Sequence, residues 1–73
     1  MALEKIESPL PGKVIRVSVK AGDKIAEMGE ICVIVAMKME SPIVATVSGI
    51  VKEVLVTEGK VVKAGEVLVV IEY

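Results

Sequence analysis

Apolar and polar positions alternate over short stretches of this chain and never settle into a helical period. Ile15, Val17 and Val19 alternate with Arg16, Ser18 and Lys20, the two-residue period of a strand with one buried face. Val54 and Val56 repeat this beside Glu53 and Thr57. Ile31 to Val35 and Val67 to Ile71 are continuous apolar runs, short enough for buried strands. Between the runs lie Ala21-Gly22-Asp23-Lys24, Thr57-Glu58-Gly59-Lys60, Glu27-Met28-Gly29-Glu30 and Lys63-Ala64-Gly65-Glu66. These read as turns, with Gly22 and Gly59 at positive φ and the Asp23 side chain bonded to its own turn's backbone.

The pattern occurs twice. Gly12 aligns with Gly49, Val17 with Val54, Val19 with Val56 and Gly22 with Gly59. Pairing Gly29 with Gly65 then requires one extra residue in the first copy, placed at Met28 or a neighbour. A repeat of this length is one structural unit used twice. Two copies predict a closed two-fold arrangement of about eight short strands: a small all-β sandwich or flattened barrel. Pro9, Pro11 and Pro42 belong at strand starts or edges, because proline cannot donate to a ladder. No linker-like stretch interrupts the chain, so residues 1–73 are expected to form one domain.

Composition narrows the chemistry. Of 73 residues, 23 are Val or Ile, which favour pleated, half-buried surfaces. Tyr73 is the sole aromatic residue, and 9 basic residues face 10 acidic ones. With no basic patch and no stacking platform, nucleic acid is not an expected partner. Histidine is absent and Cys32 is the one cysteine. That removes the usual general base, any internal disulfide and any cysteine-rich zinc site. Cys32 sits in an apolar run and is expected to be a buried, inert thiol. The longest apolar run, Ile31 to Met37, is too short to span a membrane. The N-terminal residues lack the pattern of a signal peptide, so a reducing cytoplasm is the expected compartment. Gly59-Lys60 is not a phosphate loop, since Val54 and Val61 stand where Gly and Ser or Thr are needed.

Between the copies lies Val35-Ala36-Met37-Lys38-Met39-Glu40-Ser41-Pro42. If both copies fold alike, the last strand of the first turns back here. Lys38 then projects from a hairpin tip, expected on the pseudo-symmetry axis. A lysine at such a tip is usually a solubilising charge. Two methionines beside it have no solubility role, and methionine is over-used at surfaces that receive partners. By alternation, one of the two is alternatively a core residue.

Ala36-Met37-Lys38-Met39 resembles the A-M-K-M motif of biotinyl domains, the biotin carboxyl carriers. The wider pattern is also similar: Pro11-Gly12-Lys13-Val14, Val19-Lys20-Ala21-Gly22-Asp23, Ser48-Gly49 and Gly65-Glu66-Val67-Leu68. The likeness runs from about Ser8 to Glu72. It implies a flattened barrel of two four-stranded antiparallel sheets with the modified lysine on an exposed hairpin. It implies that Lys38 carries biotin in amide linkage, attached by a biotin protein ligase, with Ala36, Met37 and Met39 expected as the residues that the ligase recognises. Glu40, which follows the motif, is expected either to join them or simply to solvate the hairpin. It further implies a non-catalytic carrier in a biotin-dependent enzyme such as acetyl-CoA carboxylase. Such a carrier shuttles a carboxyl group between biotin carboxylase and a carboxyltransferase or decarboxylase, with no direct membrane insertion. Two features depart from the family. Val35 stands where many members have Glu, and the protruding "thumb" of some bacterial carriers has no counterpart, so a bare barrel is expected. Two other readings share the fold: a lipoyl carrier, whose lysine usually follows Asp and precedes Ala, and a structural barrel of membrane-fusion adaptors with no modified lysine.

Overall fold

A computed structural model describes residues 2–73. Eight strands follow one another: β1 (Leu3–Glu7), β2 (Gly12–Val17), β3 (Lys24–Ile25), β4 (Glu30–Ala36), β5 (Met39–Val44), β6 (Gly49–Val54), β7 (Val61–Val62) and β8 (Val67–Glu72). They form two four-stranded sheets of order β1-β8-β6-β3 and β5-β4-β2-β7, antiparallel throughout. The inner faces meet in a core that includes Val14, Ile31, Ile34, Val62, Leu68, Val69 and Ile71. The flattened two-sheet barrel expected from the pattern is therefore the fold, and its short β-branched runs are the reason.

The repeat is tighter than the aligned glycines indicate. The Gly22 N–H donates to the Val51 carbonyl, and the Gly59 N–H to the Val14 carbonyl. Met28 donates to Ala45, and Gly65 to Ser8. The offset that carries Gly12 to Gly49 thus carries Met28 to Gly65, with no insertion. The expected extra residue at Met28 is absent. Backbone conformation explains the misalignment: Met28 has φ 72°, like Gly65 at 84°. The turn requires left-handed backbone at that position, and glycine supplies it in one copy only. Gly22 and Gly59, at 96° and 94°, are as expected.

The true extra residues lie inside strands. The register between β2 and β4 shifts between Val14 and Arg16, and that between β6 and β8 shifts between Val51 and Glu53. Each copy therefore bulges at the same place, at Ile15 and Lys52. A bulge reverses the faces beyond it. Val14 is buried while Ile15, expected inside, is exposed. Pro42 lies on edge strand β5 and Pro11 directly precedes β2, as proline chemistry demands.

Each sheet takes two strands from each copy, so the copies interlock. The same offset maps the Ala36–Met39 pair onto Tyr73 and Ala2, which exchange two backbone hydrogen bonds of 2.9 and 2.8 Å. The hairpin tip and the chain ends are thus symmetry mates. A point on the axis would map onto itself, so Lys38 does not lie on the axis as expected.

Candidate functional site

Strands β4 and β5 pair from Glu30–Val44 to Ala36–Met39. That leaves Met37 and Lys38 as a two-residue turn. Their φ values are 52° and 67°, the positive pair that defines a type I′ hairpin turn and normally selects Asn-Gly. Here two long side chains occupy it. Left-handed backbone in non-glycine residues is strained and concentrates at functional sites.

The turn holds its side chains outward. Met37 is 95% and Met39 70% exposed, so neither is the core residue that alternation allowed. Lys38 and Glu40 are exposed as well, and Ala36 is half-buried. All five motif positions therefore sit together on one hairpin end. Val35 is half-buried between Glu40 on β5 and Lys13 on β2, its cross-strand neighbours. Both of these neighbours are charged, and Val35 is not part of the groove wall formed by Ala36, Met37, Met39 and Ser41.

The sequence did not reveal a second wall. Leu10 and Pro11, from the β1–β2 loop, face Ala36, Met37, Met39 and Ser41 across an open groove of about 240 Å³. The loop is pinned by Ser8, whose buried hydroxyl donates to the Leu10 carbonyl at 2.5 Å. The Ser8-Pro9-Leu10-Pro11 run was the available signal, since two prolines fix φ within one short loop.

The remaining candidates are structural. Asp23 accepts from the Lys20 N–H at 3.0 Å, closing its turn as expected. Cys32 is a buried free thiol, pushed up to about 11 by burial and then by the nearby Glu30 charge. A thiol so shifted carries little thiolate at neutral pH and is unreactive. Among the described residues no helix is long and apolar enough to cross a membrane.

Comparison with known proteins places this geometry in context. The model of a family described as biotin-requiring enzymes matches residues 4–71. The biotin/lipoyl attachment protein of Bacillus subtilis is 51% identical over 59 residues, covering 81% of this chain and 81% of that protein. The human mitochondrial propionyl-CoA carboxylase alpha chain is 49% identical over 67 residues, 92% of this chain but 9% of the carboxylase. The chain thus spans less than a tenth of that relative's length. Among solved structures, the Kluyveromyces lactis urea carboxylase superposes with a TM-score of 0.91 at 30% identity, over 99% of this chain and 6% of the carboxylase. The human relative is mitochondrial by name, so its likeness lends no support to a cytoplasmic location.

Proposed function

Since this chain belongs to the family of biotin- and lipoyl-attachment domains, we propose that Lys38 is the residue through which it carries biotin. The observation that carries this reading is the strained turn: Met37 and Lys38 hold left-handed backbone at a fully exposed tip. A two-residue turn gives the amine a fixed position, and its lack of covering side chains leaves room for a ligase active site. An alkylammonium is not a nucleophile, so the base must come from the ligase, acting on an activated biotinyl ester. The Lys38 ammonium gives one proton to that base, the freed Nζ amine forms an amide bond to the acyl carbon and sheds a second proton, and the ester's acyl–oxygen bond breaks with its electron pair leaving on oxygen. Acylation removes the tip's positive charge. Ala36, Met37, Met39 and Glu40 are the surface the ligase would read.

Biotin supplies a ureido nitrogen that accepts and releases a carboxyl group. This chain supplies attachment and orientation, as one carrier domain over residues 1–73 with no catalysis of its own. Biotin carboxylase and a carboxyltransferase or decarboxylase would do the chemistry. Tethering makes the second encounter intramolecular, at effective concentrations of order mM.

The test is intact-mass measurement after co-expression with a biotin protein ligase in biotin-supplemented medium. One biotinyl adduct, mapped by peptide mass to Lys38, is expected. Lys38→Arg keeps the charge but loses the acylable amine, so it should abolish the adduct while changing stability by no more than ~0.5 kcal/mol. An adduct on another lysine, or a lipoyl adduct instead, overturns the reading.

A further inference from the structure

We infer that the groove between the Leu10–Pro11 loop and the Lys38 turn is a resting site for the bicyclic ring of biotin on the domain itself. This rests on the reading of Lys38 as the attachment residue. The groove borders Lys38 on both sides in sequence, through Met37 and Met39. Its six lining residues, Leu10, Pro11, Ala36, Met37, Met39 and Ser41, include no charged side chain. An ammonium gains nothing there, but the acylated arm is neutral. Acylation therefore converts Lys38 from a group the groove repels to one it can receive. Ligand clefts begin at ~300 Å³, and about 240 Å³ suits a small fused ring rather than a larger ligand. Leu10 and the two methionines match the hydrocarbon and thioether edge of the ring. The Ser41 hydroxyl is the one side-chain group that can pair with its ureido edge.

The repeat supplies an internal control. At the symmetry-related end, Ser8, Leu10, Pro11, Ala36 and Ser41 are replaced by Ala45, Val47, Ser48, Tyr73 and Glu4. The fold alone therefore does not demand the pinning hydroxyl, the proline or the uncharged lining. They occur together at the end that bears Lys38. The groove is also built before any ligand arrives. Ser8 anchors one wall and the I′ turn fixes the other. Because the ring is tethered at an effective concentration of order mM, an affinity of the same order fills the groove about half the time. Ser8 acts only through Leu10 and is a positioning residue.

The experiment compares unmodified and biotinylated domain, labelled at its methyl groups, by NMR, with the intact mass of each sample recorded. Shift changes and ring-proton contacts are expected at the Leu10, Ala36 and Met39 methyls. Leu10→Asp, fully loaded with biotin, should lose those contacts and be captured by avidin at least twofold faster than the loaded parent. A loaded parent whose shift changes stay within residues 37–39 overturns the groove assignment while leaving Lys38 as the attachment residue. A parent that gains no biotin mass overturns the attachment reading instead. Should Leu10→Asp fail to fold or load, the ring-proton contacts of the parent decide alone.

Discussion

Met37 and Lys38 place two side chains in backbone that L-residues avoid, at a cost of roughly 1–2 kcal/mol each. Nothing in the core requires this, because both side chains point away from it. Replacing the pair with Asn-Gly, the residues an I′ turn prefers, should stabilise the domain by roughly 1 kcal/mol after the added chain entropy of glycine. A urea melt would measure the gain, and the same protein should accept no biotin. A loss of stability would show that the turn is not strained. The motif itself was readable, because A-M-K-M falls between two copies of a repeat. Its conformation was not, since apolar periodicity says nothing about the sign of φ. Leu10 and Ser8 stayed hidden for another reason: they reach the site through the fold, from a loop far away in sequence.

Strand content was legible from two-residue alternation and short apolar runs, but faces were not. Ile15 fits the alternation perfectly and still points outward, because the bulge in β2 inserts a residue that no polarity pattern marks. The same strand carries a charge cluster with a pH signature. Arg16 donates to both Glu30 carboxylate oxygens at 3.1 and 2.9 Å, and the Ser18 hydroxyl donates to one of them. The Ser18 bond first, then Arg16, holds the Glu30 carboxyl below its ordinary value of 4.5. Glu66 is lowered likewise, by Lys60 first and then by the Lys63 N–H. A carboxyl whose folded value is depressed adds stability above its unfolded value, and that stability is lost as pH falls through the folded one. Denaturation midpoints should therefore drop below pH 4.5, and Glu30→Gln with Glu66→Gln should flatten the drop. Both groups are partly exposed, so added salt should shrink the effect. An acid limb unchanged in the double variant would remove these carboxylates as its cause.

At the scale of the molecule, duplication was visible because glycines and valines recur in order. Its register was obscured by one residue, since Met28 does in the first copy what Gly65 does in the second. The arrangement of the copies was not visible at all. β3 joins β6, and β7 joins β2, so neither half owns a sheet. A peptide of residues 1–37 should therefore show no strand signal by circular dichroism when alone. The full chain should melt in one cooperative step. A half that folds independently, or two separated transitions, would contradict the interlocked arrangement.

The hydrogen-bonded meeting of Ala2 and Tyr73 has a topological meaning. It is the same rung that, in the other sheet, a two-residue turn joins covalently. The path from Ala2 to Tyr73 is thus an almost closed loop, whose two matching rungs differ only in that one is bridged by the Met37–Lys38 turn. Joining Tyr73 to Ala2 through two residues would bridge the other rung in the same way. The chain could then be opened at a different turn without altering a strand, giving a circle in which the place where Lys38 stands is one of two matching corners.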